Sequence, residues 1–550
     1  MKHRFAILIT CILGASLSAA EPTSFKDQVD MSIWSETVAV YTEGRVKSFE
    51  TFSRSYMPFI MGTKLIDNQS ASFTFFDMMI MPQKYMGKDI VYVKNKNLRA
   101  AIIGEAIATT PELAEQRNLF MKRGLISREV LQQPAVLVVL AKLRQDVMRF
   151  SSPVERIESA IAASDPRSLW GSLRIVPPVS GKWEDPWTTL DTVVDQEIIS
   201  SWGNMVTAWQ SGDATVVNKE LATLSTLLPK LASGSDLYPS SIKLKLESLY
   251  FRLGNFTAIW LVYLMSIILL LMAFVYRFTG VGRAGILLFV LAATLHTIAV
   301  IWRWYVSGRF PNANMFEAIT TASWMGVVFG LCMETLVRRT SKKYIFSLGS
   351  AMAAMAALLA TRLYPLELSP HISNKMPVLH DVWLYIHTNF IIFSYCLIFI
   401  AAVSAAIYLI RRLIQKRKGQ DGTIDFARSG GVASFTQARP DNKPESVQNL
   451  GAVLDGATMT LVEISFILLW AGIVMGAIWA DHSWGRPWGW DPKEVFALNT
   501  FLIFVVLIHV RMKVKDKGFW TAILALAGCG VMLFNWIIIN FTISGLHSYA

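Results

Sequence analysis

Trp484-Gly485-Arg486-Pro487-Trp488-Gly489-Trp490-Asp491-Pro492 lies between two apolar runs, each long enough to cross a bilayer, with Trp479 just upstream. What this stretch forms settles the architecture around it. Indole rings at a membrane surface commonly act as anchors, with the apolar body in lipid and the N–H in water. That accounts for one or two tryptophans. Three within seven residues, interleaved with glycine, arginine and proline, are a different pattern, because glycine and proline forbid a smooth helix here. A glycine-opened aromatic shelf suits a large, flat, apolar ligand held in a concave site.

Outward from this loop, composition agrees with a membrane protein. Of 550 residues, 53% are hydrophobic, and the mean hydropathy is +0.40. These values lie outside the range of ordinary soluble domains and suggest several spans. The net charge of +12 invites a nucleic-acid partner. The reading is rejected because the basic residues cluster in short connections between apolar runs. Cys11 falls in the leader, and Cys332, Cys396 and Cys529 fall in apolar runs with no CxxC. Neither zinc nor dithiol chemistry is indicated, and buried packing is expected of each cysteine.

Residues 1–20 read as a signal peptide: Lys2-His3-Arg4, an apolar stretch to Leu17, then Ser18-Ala19-Ala20. An uncleaved anchor is the alternative, and either one exports the segment behind it. Residues 21–253 contain no span-length apolar run and read as a mainly helical extracytoplasmic domain, with helical spacing over Val136–Phe150. From 254 to 550 the pattern predicts an all-α polytopic membrane domain of about eight spans, near 256–277, 284–304, 316–337, 344–362, 383–410, 458–480, 494–511 and 520–542. Arg277 and Arg283, then Arg338, Arg339, Lys342 and Lys343, occupy the first and third connections. Arg411, Arg412, Lys416, Arg417 and Lys418 open a polar linker at 411–457. Arg511, Lys513, Lys515 and Lys517 fill the seventh connection. All four connections fall on one side, which is therefore cytoplasmic; the tryptophan loop and the C-terminus face out, as the leader independently requires. The linker reads as a spacer.

Histidine within a bilayer is costly and usually purposeful. His387 sits roughly 6 Å into the fifth span from the outer surface, and His547 follows the eighth span as it exits. Both belong at the level of the tryptophan loop. Two imidazoles beside an aromatic shelf match the needs of a six-coordinate haem iron. His509 lies roughly 22 Å deeper and shares no haem with them. His296, on another level, reads as a packed or hydrogen-bonded histidine, with a transient ligand as the alternative. His371, His380 and His482 fall in outward loops; His380 rivals His387. Arg486 is the first candidate to hold a haem propionate, ahead of Arg303, Arg309 and Lys493, whose other reading is an ion pair with Asp491 or Glu494. Asp491, before a proline, is expected to accept backbone N–H bonds and orient the loop.

Trp479-Ala480, Trp484-Gly485, Trp488 and Trp490-Asp491-Pro492-Lys493-Glu494 together resemble the tryptophan-rich WWD signature of the CcsA/ResC family of cytochrome c maturation, whose relatives are the CcmC and CcmF proteins. Arg303-Trp304-Tyr305-Val306-Ser307-Gly308, Trp383-Leu384-Tyr385-Ile386-His387, Leu507-Ile508-His509 and Gly545-Leu546-His547-Ser548-Tyr549 are similar to the same type. The resemblance covers about 256–550. One departure is Phe496, where the family often has tryptophan. Gly44 to Thr51 is similar to a segment of some extended CcsA proteins.

The resemblance implies haem b as cofactor, passed to the outer face of a bacterial inner membrane and presented to the CXXCH segment of apocytochrome c. His387 and His547 would be axial ligands there, against Trp484, Trp488 and Trp490. It implies a second haem at His509, whose other ligand comes from a CcsB/ResB-type membrane partner, and it admits thiol-reducing proteins as further partners. Whether the chain is itself an enzyme or the haem-presenting subunit of a synthase stays open, since no residue stands out as a general acid or base. A rival reading is a haem-containing electron carrier of the quinol oxidoreductase kind. It pairs histidines on facing helices of one bundle, which the level of His509 disfavours. A transporter of another apolar substrate is a third.

Overall fold

The computed structural model describes residues 24–62, 66–146, 149–178, 180–232, 237–276, 278–337, 344–365, 368–372, 381–417 and 450–539. The leader, His380, His547 and most of the polar linker lie outside the described residues. The chain divides into two compact units, Met1–Leu249 and Tyr250–Ala550.

The first unit is mainly helical, as its composition predicts. Its longer helices include Phe49–Met61, Lys96–Thr109, Gln196–Ser211 and Ala214–Leu227. Side chains placed at their starts explain where they begin: Ser48, Asn95, Asp195 and Asp213 each accept a first-turn N–H. The helix expected over Val136–Phe150 runs instead over Pro134–Arg144, with proline opening its first turn. Two short antiparallel strand pairs interrupt the helices: the hairpin Ala39–Thr42 with Arg45–Ser48, and Asp89–Tyr92 with Leu125–Ser127, which pair across two intervening α-helices. Glu43 and Gly44 turn the first with positive φ. Trp34, Phe49, Phe75, Phe76 and Trp209 are fully buried in one aromatic cluster, most of its contacts edge-to-face. Asp77 threads polarity through it, accepting from the Trp209 indole at 3.0 Å and the Tyr85 hydroxyl at 2.9 Å.

Among its described residues the second unit contains eight helices long and apolar enough to cross a membrane: Gly254–Tyr276, Thr279–Ser307, Met315–Thr335, Ile345–Leu363, Val382–Arg417, Gly451–Trp484, Pro492–Lys513 and Lys517–Ile539. They follow the expected order. The fifth continues to Arg417 and the sixth begins at Leu450, so both extend into the stretch read as linker. Arginine, lysine, glutamine and leucine are good helix formers, and a helix leaving the bilayer has no reason to stop. Small residues let backbones approach. Gly330 faces the Ser350 hydroxyl, and Gly528 faces the Phe504 ring, each closer than a Cβ allows. Leu261, Met265 and Ile268 point away from the bundle. So does Cys332, a correction to the expectation that every cysteine is buried, whereas Cys396 and Cys529 are buried. A face turned to acyl chains needs only apolar character, which a thiol supplies.

Candidate functional site

The tryptophan stretch is built by a helix stop and a helix start. The sixth helix ends at Trp484, and Gly485 follows at φ 68°, a conformation glycine adopts without penalty. The seventh helix starts at Pro492 with a reciprocal cap. Asp491 accepts from the Lys493 N–H at 2.9 Å, while the Glu494 carboxylate accepts from the N–H groups of Asp491 at 3.1 Å and Gly489 at 2.9 Å. Trp490, between those two N–H groups, has φ 55° and is 74% exposed.

The indoles do not form a flat shelf. Trp479 meets Trp484 edge-on with centroids 4.8 Å apart, and Trp488 meets Trp490 edge-on at 6.0 Å. Edge-to-face contact satisfies the ring quadrupoles better than parallel overlap. Trp479 is buried behind them.

Beneath this loop lies an open-mouthed, mostly apolar cavity with about 980 Å³ of empty space, its mouth included. Its wall brings together His387 and Tyr395 of the fifth helix, Gly476 of the sixth, Trp488 of the loop, Lys493 and Glu494 of the seventh and Asn535 of the eighth. Of the residues singled out by sequence, His387, Trp488, Lys493 and Glu494 meet here. Trp484, Arg486, Trp490 and Asp491 do not line it; Arg486 is exposed. His547 lies outside the described residues.

The His387 ring is held. Its Nδ1 is 2.7 Å from the Gly472 carbonyl. A carbonyl only accepts, so Nδ1 carries the proton and the lone pair sits on Nε2, the tautomer of a metal-binding imidazole. Asp381 caps the fifth helix by accepting from the Trp383 N–H at 2.7 Å, and its other oxygen is 3.5 Å from His482 Nδ1.

Sequence reasoning passes over two features of this wall and underrates a third. Gly472 and Gly476 form a Gly-x-x-x-Gly spacing readable in the sequence as a close-packing signal. Asn535 donates to the Tyr395 hydroxyl at 3.0 Å from a π-helical turn over Phe534–Ile539, and no local signal joins the two residues. Lys493, ranked behind Arg486, is the cation that lines the cavity.

The other candidates lie elsewhere. Arg303 and Arg309 pair with neither Asp491 nor Glu494. Both bind Glu317, at 2.9 and 2.6 Å, and Arg303 also donates to the Pro370 carbonyl at 3.0 Å. Glu317 is fully buried at the start of the third span, where an acid needs cationic partners. His296 is buried, with Nδ1 3.2 Å from the Tyr263 hydroxyl and Nε2 3.1 Å from the Thr320 carbonyl. It is the hydrogen-bonded histidine of the two readings. His509 is exposed on the side of the seventh helix, roughly 25 Å along the axis from its start. Its Nδ1 reaches the Val505 carbonyl at 2.8 Å.

Known proteins match this half of the chain. A family model described as cytochrome C assembly protein matches residues 312–547. The chain is similar to cytochrome c biogenesis protein CcsA of Guillardia theta, 31% identical over 47% of this chain and 83% of that protein. The same protein of Prochlorococcus marinus strain MIT 9313 is 30% identical over 48% and 83%. That of Porphyra purpurea is 28% identical over 50% and 89%.

Proposed function

The chain belongs to the CcsA family of cytochrome c biogenesis proteins, and from that membership we propose that it binds haem b in the cavity below the tryptophan loop and presents it to apocytochrome c. The observation that carries the reading is one wall holding both His387, in a metal-binding tautomer, and Trp488. The donor set fits: one imidazole, an aromatic face, an apolar lining and one cation, Lys493, for a propionate.

In this reading His387 and His547 are the axial pair, and the cavity is on the outer side of a bacterial inner membrane. Each thiol of the incoming CXXCH segment adds across a vinyl group, sulfur bonding to one carbon and the thiol proton ending on the other. No electrons are gained or lost. The chain contributes position: His387 and Trp488 hold the macrocycle, and the arriving histidine replaces one axial imidazole. His509 serves a second haem, with its other ligand from a CcsB/ResB-type partner. Its exposure on the surface of the seventh helix supports that assignment, as does the engagement of both His296 nitrogens. Thiol-reducing proteins would keep the CXXCH pair open.

The test is spectroscopic and then functional. Membranes holding the chain and its partner should show a six-coordinate haem spectrum, and His387→Ala should lose the outer-site share until imidazole is added. A co-expressed CXXCH protein should acquire covalent haem. Haem bound but never attached favours the electron carrier; no haem at all favours the transporter.

A further inference from the structure

We infer that Gly476 is a positioning residue that sets the angle of the His387 imidazole. This rests on the proposed haem reading. Gly472 and Gly476 stand one turn apart on the sixth helix, against the first turns of the fifth. A Cβ on Gly476 would lie 2.6 Å from His387 Nδ1 and 2.7 Å from Cε1. A Cβ on Gly472 would lie 2.7 Å from Ile391 Cδ1, one turn further along. The fifth helix is thus seated in a glycine groove, with an imidazole in one notch and an isoleucine in the next.

The notches differ in what they can give. At Gly472 the added methyl would also meet Ile391 Cγ1 at 2.9 Å, so it costs packing against one branched apolar side chain, but no imidazole moves with it. The His387 ring is pinned by its 2.7 Å bond to the Gly472 carbonyl, the acceptor at the base of the same groove. A methyl on Gly476 must break that bond or push the ring by roughly 1 Å, a displacement that costs reacting geometries about a hundredfold. Gly472 supplies the acceptor from its backbone, so a side chain there leaves the bond in place. Gly476 governs where Nε2 points, whereas the proton on Nδ1 is set by a backbone carbonyl that any residue at 472 supplies.

The experiment compares Gly476→Ala with Gly472→Ala in the full chain with its partner. The readouts are haem spin state and reduction potential at equal haem and protein content. Gly476→Ala should lose the low-spin, six-coordinate bands of the outer site and shift its potential, while Gly472→Ala keeps both. Identical spectra and potentials in both variants overturn the proposal. Equal losses in both also overturn it, since that is the signature of packing alone. Should Gly476→Ala not accumulate, the pair His387→Cys with Gly476→Cys tests the same approach without haem: an intrachain disulfide on mild oxidation supports it, and none overturns it. If the wild-type chain binds no haem, that crosslink still separates a correct groove from a failed haem assignment.

Discussion

Glu317 shows how much one side chain can hold. It is fully buried and binds two guanidiniums, Arg303 being itself 2% exposed. Removing one partner of a buried pair leaves an uncompensated charge, a loss of about 3–5 kcal/mol. Glu317→Gln should lower the thermal midpoint of the detergent-solubilised chain accordingly, and an unchanged midpoint would remove the pair from the stability account. Trp488 and Trp490 separate a lining ring from an exposed one. Trp488→Ala should weaken haem retention by about 0.5–1.5 kcal/mol, roughly two- to tenfold in off-rate. Trp490→Ala should do less, and haem release measured after transfer to a scavenger decides between them. His387 is legible from sequence because a histidine four residues into an apolar run is conspicuous. Glu317 is not, since nothing in a linear chain says that Arg303 and Arg309 turn back upon it. Gly476 is visible as spacing, but its role depends on which helix packs there.

The loop between the sixth and seventh helices owes its shape to a cap. Asp491 and Glu494 together satisfy the N–H groups of Gly489, Asp491 and Lys493, and this holds Trp490 in a left-handed conformation that costs a non-glycine residue about 1–2 kcal/mol. Asp491→Ala should therefore lower stability by about 1 kcal/mol and Asp491→Asn by much less, because the amide oxygen still caps. Equal thermal midpoints in the two variants would sink this account. At the level of elements the sequence speaks clearly. Eight apolar runs become eight helices because bilayer thickness fixes their length, and Asp before Pro marks the start of the seventh. It is silent on the perpendicular indoles, which depend on ring-to-ring geometry rather than composition. It also misplaces the linker's edges, where polar residues carry the helices onward to Arg417 and back to Leu450.

Across the whole molecule the two units answer to different variables. In the first, Lys47 is fully buried, with Glu43 at 3.2 Å, and burial lowers its pKa from 10.5 to about 8. Its folded state therefore disfavours the proton that the unfolded chain keeps. The penalty is complete below about 8 and is relieved as pH climbs toward 10.5, so this term stabilises the unit with rising pH. Protection of the first unit from protease in the intact chain should improve across that window, and Lys47→Met should flatten the trend. An unchanged slope in that variant would exclude Lys47 as its source. The second unit is tied by ion pairs at both ends. Arg303 and Arg309 meet Glu317 at the loop end, and at the other the Arg511 guanidinium meets Asp455 with bonds of 2.7 Å to each oxygen. Such pairs lie beyond the reach of dissolved counterions. The bundle should thus melt at the same temperature in dilute buffer and in strong brine, even while its exposed charges are screened away.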